Sequence, residues 1–299
     1  MADRLNIGIV SRTFFYVPLW AAVEHGMFAA EDLAIETTIM GNASQVPPLL
    51  DGSLQVAIGG PEPVLQNVAA GGPLRIIAGN TGKLTHALIA APRFSRIEDL
   101  RGATVGILNK VEGTFFQLKT MMAAHGLHFP GDYLVKETGG VPPRHKALLE
   151  GSIDAGLQSI PWNFVAEDAG FKNFGEVNAY VPDWQFVSVN TNNDWAVANR
   201  PVLVRFLRAL LRGTQWVHAN REASAAIAER ELPTRRDYAE RAWDHYTRTN
   251  VLARDMAVNG KGLEKVIATQ MEAGLLPEDA SVAAASYMVD DYLRDAGHP

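Results

Sequence analysis

The chain has 299 residues, 47% of them hydrophobic and 20% charged, with no cysteine and a formal net charge of −6. That length suffices for one large domain or two of about 100–150 residues. The missing cysteines exclude disulfides, thiolate metal ligands and a cysteine nucleophile, and the acidic balance argues against a nucleic-acid partner, which calls for a clustered basic face.

In chain order, LNIGIV (5–10) reads as a strand, and VPLWAAVEHGMF (17–28) as a helix with Pro18 near its first position and Gly26 as its stop. AIETTIM (34–40) alternates as a strand. A short helix, limited by Pro47 and Pro48, then leads into VAIGG (56–60), and LRIIAGN (74–80) and THALIAA (85–91) follow as strands. The pattern restarts with strand TVGILN (104–109), helix FFQLKTMMAAHG (115–126), strand YLVKETG (133–139), helix PRHKALLEG (143–151) and strand DAGLQS (154–159). FVSVNT (186–191) is the last strand. From Pro201 the chain reads as helical, with Leu203, Phe206, Leu207, Leu210 and Leu211 on one face, Arg205, Arg208 and Arg212 on a solvated one, and ASYMVDDYLRDAG (285–297) as an amphipathic helix.

LLDGSLQVAIGG (49–60) returns as LLEGSIDAGLQS (148–159), an offset of about 100 residues, too long for a solenoid or propeller repeat. Strands separated by helices predict parallel sheets and an α/β class, with ligands at the carboxyl ends of the strands. With no Gly/Ser-rich linker, short crossings are expected near 85–91 and 186–191, giving two lobes, a hinge and a cleft.

In this order the segments PLWAAVEHGMFAAEDLAIE, LLDGSLQVAIGGPEPVL, IEDLRGATVGILNKVEGTFFQLKTMMAAHGL, HKALLEGSIDAGLQSIPW and RPVLVRFLRALLRGTQWVHANRE resemble the type II periplasmic-binding-protein fold. The resembling branch comprises the ABC-transporter substrate-binding proteins for nitrate, alkanesulfonates, taurine and thiamine-pyrimidine precursors. The resemblance implies two similar α/β lobes with a ligand cleft between them and a helical C-terminal extension: lobe one from residues 1–88 plus 188–299, lobe two from 89–187. Some relatives of this fold are cytoplasmic enzymes, a sulfinate desulfinase and a thiamine pyrimidine synthase, whose cysteine motifs this chain lacks.

Candidate ligand contacts sit in the turns after the strands. SRTFFY supplies Arg12, Thr13, Phe14 and Phe15, where a guanidinium could fork onto a carboxylate or sulfonate. GNAS supplies Asn42, with Ser44 as a further helix cap, and GGPEP supplies Glu62. NKVEGTFFQ carries Lys110, Gly113 and Thr114, with Thr114 and Gln117 as a capping box and a helix N-terminus suited to an anion. Trp162 of QSIPW and Trp184 of VPDWQF offer aromatic walls. Each of these also has an ordinary structural reading as cap, core or surface residue.

No G-x-S-x-G, H-E-x-x-H or Walker sequence occurs, the eight histidines form no metal-ligand set, and no catalytic residue, metal or cofactor is assigned. His86 reads as a structural histidine before it reads as a base beside Glu62. The expected function is a solute-binding protein that captures a small organic ligand, aromatic or heteroaromatic and possibly acidic, for an ABC importer. Its partners would be that small molecule and, transiently, the membrane permease. The alternative is a cytoplasmic decarboxylase, C–S lyase or hydrolase on the same scaffold. No run of apolar residues is long enough to span a membrane. A periplasmic location is expected if a signal peptide was removed and a cytoplasmic one if Met1 is the native start.

Overall fold

Residues 3–9 alternate so that Leu5, Ile7 and Ile9 are buried, which makes them a sheet strand, β1 (Asp3–Ile9). The computed structural model describes residues 2–232 and 234–297. The chain separates into two compact units: Met1–Gly82 with Trp184–Pro299, and Lys83–Asp183. After β1 come α1 (Val17–Glu24), with proline in its first turn, β2 (Leu33–Ile39), the short α2 (Val46–Asp51), β3 (Val56–Gly59), α3 (Glu62–Ala69) and β4 (Leu74–Thr81).

The second unit begins with β5 (Ala87–Ala90) and β6 (Thr104–Ile107), then α4 (Gly113–Ala124), β7 (Leu134–Glu137), α5 (Val141–Leu149), β8 (Ala155–Gln158), α6 (Trp162–Asp168) and β9 (Lys172–Glu176). The chain re-enters the first unit through β10 (Val187–Asn192). It continues through α7 (Asn193–Ala198), α8 (Arg200–Ala219), α9 (Arg221–Glu231), α10 (Arg236–Arg248), α11 (Gly260–Glu272) and α12 (Asp291–Asp295).

The strand orders are β2-β1-β3-β10-β4 and β7-β6-β8-β5-β9, so the sheets share one plan. The repeated segment explains the match. Gly52 (φ 79°) ends α2 and Gly151 (φ 71°) follows α5, both left-handed, and each turn feeds the middle strand of its sheet, β3 or β8.

The expectation of purely parallel sheets is corrected. β10 runs antiparallel to β3 and β4, and β5 antiparallel to β8 and β9. Both strands arrive from the other unit rather than over a helical crossover, so nothing obliges them to run parallel. Residues 85–91 and 186–191 are therefore ladder strands rather than bare connections.

In the first unit Leu203, Phe206, Leu207 and Leu210 of α8 are buried, and α8 packs on α1. Gly213 makes that approach possible: a Cβ there would stand 2.5 Å from the Pro18 carbonyl oxygen and 2.9 Å from Ala22 Cβ. The arginines of α8 staple it to the turn after α1. Arg205 donates to the Glu31 carbonyl (2.7 Å) and pairs with Asp3, and Arg208 donates to the Glu31 carboxylate (3.0 Å).

Residues 285–297 are not one amphipathic helix. Only Asp291–Asp295 is α-helical, and Met288 bridges to Ile76 on the edge strand β4. The Ile76 N–H donates to the Tyr287 carbonyl (3.0 Å) and the Val289 N–H to the Ile76 carbonyl (2.8 Å). Satisfying an open sheet edge outweighs one more helical turn.

The two segments where the chain changes unit are tied to the start of α11. Asn259 caps α11 by accepting from the Gly262 N–H (3.0 Å), donates through Nδ2 to the Gly82 carbonyl (3.0 Å), and donates its backbone N–H to Gln185 Oε1 (2.8 Å). Gln185 Nε2 donates to the Val187 carbonyl (2.7 Å) and, more weakly, to that of Thr81 (3.3 Å).

Gly213→Ala should destabilise the protein by about 1–3 kcal/mol, because the new methyl meets backbone that cannot yield. The check is a lowered urea midpoint with an unchanged slope of stability against denaturant.

Candidate functional site

Parallel neighbours bring the carboxyl ends of β1, β2 and β3 to one edge of the first sheet, and those of β6, β7 and β8 to one edge of the second. The start of the antiparallel strand, β10 or β5, joins each edge.

At the first edge four buried polar side chains are tied into hydrogen bonds. The Tyr16 hydroxyl accepts from the Val10 N–H (3.1 Å) and donates to the Ile58 carbonyl (3.0 Å); burial raises its pKa far above the phenol range. Gln45 Nε2 donates to the Gly60 carbonyl (2.7 Å), while its Oε1 accepts from Asn190 Nδ2 (3.0 Å). The Ser188 hydroxyl donates to Asn190 Oδ1 (2.7 Å).

The expected contacts of the first unit fall in different settings. Arg12 is half-exposed and ion-paired with Glu231. Phe14 is buried and stacked on Tyr246, with centroids 5.0 Å apart, and Phe15 lies edge-on to Phe186 at 5.7 Å. Thr13 is buried with no hydrogen-bond partner for Oγ1 among the described residues, and the same holds for Nε1 of buried Trp184. Asn42 is exposed, and Ser44 rather than Asn42 accepts from the Val46 N–H (3.2 Å). Glu62 is buried in the first turn of α3.

In the second unit Lys110 is exposed, whereas Gly113 and Thr114 are buried. The expected Thr114/Gln117 capping box does not form. Glu112 is the N-cap of α4: its carboxylate accepts from the Thr114 N–H (3.1 Å) and from the Thr114 hydroxyl. A carboxylate at the positive helix end is the stronger acceptor, and it displaces the hydroxyl.

Sequence reasoning missed the most heavily buried charged side chain of this unit. Arg144, on α5, is 2% exposed. Its stem crosses Gly106 and Gly156, register partners on β6 and β8, at a distance where a Cβ on Gly156 would stand 3.1 Å from Arg144 Cδ. Nε donates to the Leu157 carbonyl (2.7 Å) and Nη1 to that of Gly139 (3.2 Å). Strand alternation puts Gln158 on the same face as Gly156.

The same unit holds a set of buried polar atoms without hydrogen-bond partners among the described residues. They are both amide atoms of Gln117 and of Gln158, Ser159 Oγ, Asn163 Oδ1, His145 Nδ1 and Trp162 Nε1. His145 and Trp162 lie beside each other, with ring centroids 5.0 Å apart. Native interiors pair nearly all such groups, so several of them at the carboxyl ends of strands make this the candidate site of the unit. Of the expected contacts in this unit, Trp162 belongs to this group.

Charge here is muted. Burial pushes the Arg144 guanidinium down to about 10, against the opposing pull of Glu112. Burial, reinforced by Arg144, drives His86 well below the usual imidazole range, so it is neutral, and burial lifts the Glu112 carboxyl. Gln117, Gln158 and Asn163 left no periodic trace in the sequence. The available signal was the glycine at matched places in TVGIL and AGLQ, which leaves room for a long side chain.

Because its folded pKa is raised, Glu112 contributes stability that is greatest below its ordinary value of 4.5 and is lost as pH rises through the folded value. Glu112→Gln keeps an acceptor for Thr114 and removes this dependence. Denaturation curves between about pH 4 and 7 should therefore show the variant gaining on wild type as pH rises, whereas a flat difference would mean an unshifted carboxyl.

A family model described as NMT1/THI5 like matches residues 14–224. The Bacillus subtilis (strain 168) protein named "Putative binding protein YtlA" is 22% identical over 290 residues, covering 92% of this chain and 85% of that relative. Among solved structures, the periplasmic nitrate-binding protein NrtA from Synechocystis PCC 6803 superposes with a TM-score of 0.77 at 14% identity, covering 99% of this chain and 88% of that one. The alkanesulfonate-binding protein SsuA from Xanthomonas axonopodis pv. citri, bound to MOPS, gives 0.74 at 17% identity, with 96% and 99% covered. The fold is the two-lobed periplasmic-binding-protein fold, and with more than two thirds of its length matched by the family model the chain belongs to the NMT1/THI5-like family.

Proposed function

We propose that this protein is the solute-binding component of an ABC import system, working outside the cytoplasm and passing a small organic molecule to a membrane permease. The observation that carries the reading is the set of buried, unpaired polar side chains at the strand ends of the second unit, beside a tryptophan and without an activated nucleophile. Such a place offers hydrogen bonds and an aromatic wall, which is what capture of an intact molecule requires. The binding-protein names of the relatives support it. Thr13 and Trp184 of the first unit, and Lys110, Thr114 and Trp162 of the second, are the proposed contacts among the residues expected from sequence. An aromatic or heteroaromatic ligand fits the tryptophans. Arg12, already paired with Glu231, is a weaker anchor for an acid group. Among the described residues no helix is long and apolar enough to cross a membrane, so a separate permease would provide passage.

A thermal-shift screen over small aromatic acids, amides, sulfonates, nitrate and pyrimidines tests the reading, with NMR following each hit for chemical change. A true ligand at a thousandfold excess over its Kd adds about 4 kcal/mol of stability. The expected result is a strong shift with the ligand recovered intact, weakened by Trp162→Ala. Consumption of the ligand would overturn the transport reading in favour of an enzyme.

A further inference from the structure

The unpaired side chains of the second unit are chemically mixed. Gln117 and Gln158 each leave both an N–H donor and a carbonyl acceptor unmet, Asn163 leaves an acceptor, and Ser159 leaves a hydroxyl that can do either. All four are at least nine-tenths buried, with exposures of 0%, 0%, 3% and 0% in that order. Because both atoms of each glutamine amide are unmet, turning the amide over changes nothing.

A bare oxyanion only accepts. It would serve the amide N–H groups and leave the two glutamine carbonyls and Asn163 Oδ1 buried without a donor, which costs more than the bonds it makes. A cation only donates, and the neighbouring Arg144 charge repels it. A neutral group that donates and accepts along one edge meets both kinds of atom at once. The ring of Trp162, beside His145, favours a flat molecule.

We propose that the second unit recognises a neutral, planar amide, lactam or ureide group through Gln117, Gln158, Ser159 and Asn163, and rejects simple oxyanions. This rests on the solute-binding reading and names the class of its ligand.

The test is calorimetric titration of the full chain with uracil, allantoin and nicotinamide, and separately with nitrate and methanesulfonate, in wild type, Gln117→Leu and Gln158→Leu. At least one neutral probe should bind, neither oxyanion should, and each leucine should weaken binding about tenfold or more. A second measurement needs no ligand. Replacing an unpaired buried amide by an apolar side chain of similar size should raise the melting temperature of the unliganded protein by about 2–4 °C. A fall would show the amides to be structural partners and overturn the proposal. So would binding of an oxyanion, neutral binding unchanged in both variants, or no neutral probe bound; each of these leaves the solute-binding reading standing. Conversion of a bound neutral probe, seen by NMR, keeps the recognition inference and overturns the transport reading instead.

Discussion

Arg144 is the commitment on which the second unit turns. A guanidinium taken out of water is tolerated only where acceptors surround it. Here two backbone carbonyls, from Leu157 and Gly139, do that work. The stem can lie flat across the sheet only because β6 and β8 present glycine to glycine beneath it. Burial holds His86 neutral, reinforced by the Arg144 field, and burial lifts the carboxyl of Glu112, the cap of α4, against a smaller opposing pull from Arg144. One buried cation thus shapes the packing of two strands and contributes to the electrostatics of two titratable groups, while much of the polar surface nearby stays uncharged.

The two sheets follow one plan and use their edges differently. In the first, Tyr16, Gln45, Ser188 and Asn190 bond to one another and to the backbone of β3 and its turn. In the second, glutamines and a serine at comparable places are left with open valences. Satisfied networks specify a fold, whereas unsatisfied ones are retained against their cost for what they bind.

The strand–helix alternation, the helix stops at Gly52 and Gly151 and the apolar face of α8 were legible because each is written in local chemistry: period, proline, glycine. The direction of β5 and β10 was not, since it depends on where the chain comes from rather than on any residue within those strands. The tail around Met288 was misread because its helical period is overridden by the open edge of β4, a demand arising more than 200 residues away. The candidate site was half visible. Trp162 could be found by its position after a strand, but Gln158 and Arg144 could not. A buried glutamine looks like any surface glutamine in sequence, and Arg144 sits in a helix whose lysine, Lys146, is exposed.

The bridge between Ile76 and Met288 has a consequence for how the chain is made. The second unit is one continuous stretch and is complete once Asp183 has been synthesised. The first unit lacks its fourth strand until β10 emerges and the cover of its edge until the last dozen residues arrive. Synthesis therefore finishes the second unit first and leaves the first open, so the segment around Met288 acts as the closing stitch of a sheet begun at β1.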